Sequence, residues 1–128
     1  MIQVLIKNKD KSPIKEERVK KTLGDFLIKE GVTGDVEVSV AFVGAREMIA
    51  LAKKYLGQRN TLHNVLSFPN REGGEFVFAE EKKVYLGEIV VCFTKAFEES
   101  ESQKIKVDDW IDELVCHSAL HLMGKHHD

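Results

Sequence analysis

From Val36 to Phe42 the chain alternates strictly, with Val36, Val38, Val40 and Phe42 separated by Glu37, Ser39 and Ala41. A period of two puts the large apolar side chains on one face of an extended strand, and such a face has to be covered by another layer. The flanking segments have the periodicity of that cover. From Ile14 to Glu30 the residues Val19, Leu23, Phe26 and Leu27 recur at intervals of three and four, and Gly31 follows as a stop, which is the pattern of an amphipathic helix. Arg46 to Tyr55, with Met48, Ile49, Leu51 and Ala52, has helical spacing again.

The remaining segments fill out a layered fold. Residues 2 to 7, with Ile2, Val4 and Ile6 on one side, form a strand that the run Asn8 to Pro13 ends. Leu56 to Asn64 is a polar loop entering a short strand, Val65 to Pro69, with Pro69 at its end or on a sheet edge. Asn70 to Glu75 has the composition of a flexible segment, and Glu80 to Lys83 that of a solvated hairpin tip between Phe76-Val77-Phe78 and Val84-Tyr85-Leu86. Gly87 to Cys92 reads as a strand buried on both faces. Thr94 to Glu101 is helical. Val107 opens the last helix, where Asp108 and Asp109 suit the positive N-terminal end and Trp110, Leu114, Val115 and Leu122 supply the core face. This order predicts an α/β (α+β) fold, a small mixed four-stranded sheet covered by helices.

At 128 residues the chain is expected to be one domain, residues 1–128, able to bury a core without staples. A net charge of −2 excludes binding driven by an overall basic surface, so any nucleic-acid contact has to come from a local patch. The apolar start, Met1 to Lys7, is too short for a signal peptide and no stretch reaches the length of a membrane span, so no membrane association and a cytoplasmic location are expected. Cys92 and Cys116 sit inside apolar runs without framework spacing and read as buried free thiols.

Chemistry concentrates at the C-terminus, where four of the five histidines lie within the last twelve residues. On a helix His117 and His121 are four positions apart, one above the other on the same face, close enough for two nitrogens to meet one ion. Gly124 can take a left-handed conformation, end the helix and bring His126 or His127 back to the same point. Three neutral nitrogens leave a coordination position open, as in catalytic zinc sites. Zinc proteases with a His-Glu-x-x-His helix carry a glutamate directly after the first histidine; here that residue is Ser118, and a hydroxyl cannot act as the base near neutral pH. Glu88 and Asp112 are the nearest carboxylates by element, and both read better as surface or helix-pairing charges. His63 sits in the polar loop and reads as an exposed histidine, a site role being the alternative.

The run His117-Ser118-Ala119-Leu120-His121-Leu122-Met123-Gly124-Lys125-His126-His127 resembles the His-Gly-x-Leu-His-Leu-x-Gly-Tyr-Asp-His signature of the YbeY-type endoribonucleases. Tyr55-Leu56-Gly57, Val65-Leu66-Ser67-Phe68-Pro69 and Leu86-Gly87-Glu88-Ile89-Val90 resemble, in order, three further segments of that family, so the similarity covers most of the chain from Val36 onward. The resemblance implies a sheet-and-helix fold related to the zinc proteases, with a zincin-like metal-binding helix at the C-terminus. It implies one Zn2+ held by His117, His121 and His127, and an endoribonuclease acting on single-stranded RNA in ribosomal RNA maturation and ribosome quality control, with ribosomal RNA and ribosomal particles as partners. The family's phosphate-holding arginine is Leu56 here, which cannot donate; Arg59, in a loop one residue longer than usual, is the candidate replacement. The family's Thr-Asp before the Val-Leu-Ser-Phe strand is His63-Asn64. The expectation is a zinc-dependent endoribonuclease; the rival readings are a metal-dependent hydrolase of another substrate, such as a peptide, and a ribosome-associated metal-binding factor of weak activity.

Overall fold

The computed structural model describes residues 1–70, 77–78 and 83–124. Its elements in chain order are β1 (Ile2–Asn8), α1 (Glu16–Lys29), β2 (Asp35–Val43), α2 (Ala45–Leu56), β3 (Val65–Pro69), β4 (Val77–Phe78), β5 (Lys83–Cys92), α3 (Phe93–Gln103) and α4 (Val107–Leu122). The sheet runs β1-β2-β5-β3. β1 and β5 flank β2 in parallel, whereas β3 and the short β4 pair antiparallel with successive parts of β5. The expected mixed sheet of four strands is therefore present, with a two-residue fifth strand beside it. The expected hairpin tip from Glu80 to Lys83 lies, except for Lys83, outside the described residues, as does the segment from Arg71 to Glu75.

The two periodicities meet as the sequence implies. Val38, Val40 and Phe42 of β2 face α1 and α4 and are buried in one core with Val19, Leu23 and Leu27 of α1 and Ile111, Val115 and Leu122 of α4. Ala41 and Val43, on the opposite face of β2, join Met48 of α2 and Leu66, Val90 and Cys92 in a second, smaller core. Ser39, expected on a polar face, is also buried, because β2 is the interior strand of the parallel part and is covered on both faces. α1 starts at Glu16, two residues after the expected Ile14, with Glu16 and Glu17 in its positive first turn. Gly57 ends α2 in a left-handed conformation, φ 67°.

The segment expected as two pieces, Val84–Leu86 and Gly87–Cys92, is one strand. The register against β2 shifts between Glu37–Tyr85 and Val38–Gly87, leaving Leu86 as the extra residue of a bulge. Gly87 takes φ 138°, and a Cβ there would lie 2.3 Å from the Phe68 carbonyl oxygen and 2.9 Å from Pro69 Cα. β3 can lie against β5 only because position 87 has no side chain. Gly87→Ala is expected to lower the unfolding free energy by at least about 3 kcal/mol, combining a positive-φ penalty with a backbone clash. Gly57→Ala, also at positive φ but with nothing within 4 Å of an added Cβ, should cost only about 1–2 kcal/mol. Urea denaturation of both variants checks this ordering, and equal costs would contradict it.

Candidate active site

Helix α4 buries Ile111, Leu114, Val115, Ser118, Ala119 and Leu122. At about 100° per residue that stripe leaves positions 117 and 121 on its flank, side by side and exposed. The Nε2 atoms of His117 and His121 stand 3.3 Å apart, and the rings meet at 74° with centroids 5.0 Å apart. Two nitrogens on one tetrahedral zinc, each about 2.0–2.1 Å from it, are about 3.3–3.4 Å apart. The pair thus fits one ion through neutral nitrogens, the donor type zinc takes. Among the described residues no third His, Cys, Asp or Glu completes a group of three. His127, the expected third ligand, and its neighbours His126 and Lys125 lie outside the described residues.

Cys116 is half-buried on the other side of His117. Burial pushes its thiol up to about 11, and the charge of Asp112 adds to the shift. Adjacent residues on a helix point about 100° apart, so Cys116 is turned away from the flank that carries His117 and His121. Cys92 is fully buried and its thiol is also raised by burial.

Ser118 does not face the histidines. It is buried under the edge strand β3, and its hydroxyl shares a short hydrogen bond with that of Ser67, whose Oγ also lies 3.4 Å from the Ser118 carbonyl oxygen. The residue that follows the first histidine therefore anchors α4 to β3. The carboxylates weighed as substitute bases are engaged elsewhere. Glu88 pairs with Lys7 at 3.5 Å across the sheet. Asp112 accepts from Arg18 Nε and Nη2 at 3.0 and 2.8 Å, while Arg18 Nη2 also reaches Asp109 at 2.6 Å. Those hydrogen bonds, first the one to Asp112, raise the Arg18 pKa further and tie the start of α4 to α1.

The loop between α2 and β3 reaches the histidine flank at its end. Asn64 lines a cavity of about 540 Å³ together with Trp110, Leu114 and His117. The Asn64 side-chain amide and the Trp110 indole N–H both donate to Glu99 Oε1, each at 2.9 Å. One carboxylate on α3 thus fixes the loop end and the first turn of α4 together. Nothing in the local pattern marks Glu99 or Ser67 for these roles, because their partners are far along the chain. His63 is tied within its own loop, its Nε2 donating to Gln58 Oε1 at 2.5 Å. Arg59 is exposed; its carbonyl accepts from Thr61 Oγ1 at 3.3 Å. Its guanidinium has no hydrogen bond or ion pair among the described residues, and the structure does not bring it into contact with the histidine pair. Leu56, also exposed, offers no donor.

Restoring the protease-type glutamate should fail for a structural reason. Ser118→Glu would bury a carboxylate against β3 and is expected to destabilise the fold by at least about 3 kcal/mol, with no peptidase activity gained. Thermal melts and a peptide-cleavage assay read both outcomes, and a stable, peptide-cleaving variant would contradict the placement of Ser118.

The family model described as endoribonuclease YbeY matches residues 5–128. Endoribonuclease YbeY of Alkaliphilus oremlandii is 38% identical over 112 residues, spanning 88% of this chain and 72% of the relative. Endoribonuclease YbeY of Clostridioides difficile is 33% identical over 129 residues, spanning 98% and 82%. The solution structure of TM1509 from Thermotoga maritima superposes with a TM-score of 0.63 at 29% identity, covering 100% of this chain and 75% of that one. By the extent of the family match and by these relatives, the chain belongs to the endoribonuclease YbeY family.

Proposed function

We propose that this chain is a zinc-dependent endoribonuclease that cuts single-stranded RNA, working as one metal-dependent hydrolase domain in ribosomal RNA maturation and ribosome quality control. The observation that carries the reading is the His117–His121 pair, whose Nε2 separation of 3.3 Å suits one ion on the exposed flank of α4, in a chain of a family named for endoribonuclease activity. His127 is the third ligand by its place in the signature. Ribosomal RNA and ribosomal particles are the partners of this reading and the cytoplasm its compartment; no helix among the described residues is long and apolar enough to cross a membrane.

When bound, the ion supplies Lewis acidity toward phosphate oxygens and lowers the pKa of coordinated water. The chain's own residues do the rest. Ser67 and Ser118 hold α4 against β3, so the histidines stay at the sheet edge. Among the described residues no strand pairs with the outer edge of β3, which leaves room for an RNA backbone to pass. Arg59, exposed on the loop that ends beside His117, binds and steadies the negative charge of the scissile phosphate. The buried Ser118 in the place of the protease glutamate speaks against a peptide substrate, since the position after the first histidine offers no carboxylate to serve as a base.

Purified protein is expected to carry about one zinc per chain. His121→Ala should lose the metal and most cleavage of single-stranded RNA: loss of an outer-shell partner costs about 10–100-fold, and loss of a ligand should exceed that range. Arg59→Ala should keep the metal and lower kcat by about 100-fold or more, the usual cost of removing one charge-stabilising donor. Metal analysis with single-stranded RNA cleavage tests all three. Unchanged cleavage by His121→Ala would overturn the reading, and unchanged cleavage by Arg59→Ala would remove Arg59 from it.

A further inference from the structure

We propose that the cleft on the α2 face of the sheet is a base-binding subsite for the single-stranded RNA, with Tyr55 as its stacking platform; this rests on the endoribonuclease reading above. The cleft has a volume of about 390 Å³, floored by Val43 and Val90 and walled by Leu51, Tyr55 and Phe68. That is within the range of about 300–1,000 Å³ of pockets that take small organic groups. Tyr55, in the last turn of α2, is 55% exposed. Its ring is held edge-on by Phe68, with centroids 5.2 Å apart and an interplanar angle of 65°. An exposed ring fixed by a second ring is a preorganised surface for a planar base.

The charge around the ring favours an RNA strand as the occupant. Between Met48 and Asn70 the sequence contains no Asp or Glu. Lys53, Lys54 and Arg59 are all exposed in that stretch of sequence, Lys54 being the one that lies at the ring, and none of them forms an ion pair among the described residues. Within the cleft Glu47, on the same row of α2 as Leu51 and Tyr55, and Glu88 of β5 are each paired with a lysine, Lys9 at 3.0 Å and Lys7 at 3.5 Å, so their charge is close to balanced. Lys54 Nζ lies 5.1 Å from the Tyr55 ring centroid. An exposed cation–π contact is weaker than base–aromatic stacking, so an incoming base can displace the ammonium and leave it free for a phosphate.

Position relative to the histidines completes the case. Successive side chains on a strand point to opposite faces. Phe68 faces the cleft, whereas its neighbour Ser67 faces α4 and bonds to Ser118, which lies in sequence between His117 and His121. The cleft and the histidine pair therefore lie on the two faces of the same edge strand, and an RNA strand crossing the open edge of β3 meets both.

The test is steady-state cleavage of labelled single-stranded RNA by the zinc-loaded protein, Tyr55→Ala and Tyr55→Phe, on oligonucleotides with one base at a time replaced by an abasic ribose. Loss of one stacked base should raise KM by about 5- to 150-fold in Tyr55→Ala, with kcat little changed, and Tyr55→Phe should restore the lower KM. At one abasic position the parent protein should lose the same factor, and Tyr55→Ala should lose nothing further there. Equal KM values for the parent and Tyr55→Ala, or abasic losses that persist undiminished in Tyr55→Ala, would overturn the subsite while leaving the endoribonuclease reading intact. If the parent cleaves no RNA, that reading fails, and fluorescence anisotropy decides the subsite separately: Tyr55-dependent RNA affinity sustains it and Tyr55-independent affinity overturns it.

Discussion

The angular offset between the buried stripe of α4 and its two histidines is the constraint on which the rest depends. Burying a side chain the size of Ile, Leu or Val contributes about 1.5–3 kcal/mol, and α4 places Ile111, Leu114, Val115 and Leu122 in the core. The exposed ion pairs of Lys15 with Asp108 and of Arg18 with Asp109 contribute little by comparison. Apolar burial therefore sets the rotation of the helix. Once the rotation is fixed, His117 and His121 can only emerge beside the edge strand, and Ser118, about 100° further round, can only point into the protein.

The sheet is arranged to make that edge usable. β5 is the strand on which everything meets: parallel to β2 on one side, antiparallel to β3 and β4 on the other. A bulge at Leu86 and a glycine at position 87 let β3 approach closely at Phe68 and Pro69. The same strand then offers Ser67 to α4 and Phe68 to α2, so the histidine flank on one face and the cleft on the other share one short element. Glu99 adds the third tie, holding Asn64 and Trp110 to one oxygen.

Much of this is visible in the sequence because periodicity is local. The alternation from Val36 to Phe42, the three- and four-residue spacing in α1 and α2 and the four-residue histidine pair all survive in the structure. The bulge does not announce itself, since a period-two count across Leu86-Gly87 breaks and suggests two segments where there is one. Ser67, Ser118 and Glu99 are equally silent: the serine pair joins residues 51 apart and Glu99 meets Asn64 across 35, and short-range pattern holds no information on such contacts. Ser118 illustrates the cost, because comparison with the zinc proteases treats it as a site position while packing makes it an anchor. Arg59 is legible as a lone cation in a polar loop, but its distance from the histidines is set by loop geometry.

The central claim is that the flank of α4 holds a single metal ion through imidazole nitrogen alone. X-ray absorption at the zinc edge of the loaded protein measures this directly. The account predicts a first shell of nitrogen and oxygen at about 2.0–2.1 Å with the multiple scattering of at least two imidazoles, and the loss of that imidazole signal in His117→Ala. A sulfur scatterer at about 2.3 Å, which would place Cys116 on the ion, or an imidazole signal unchanged by His117→Ala, would contradict it.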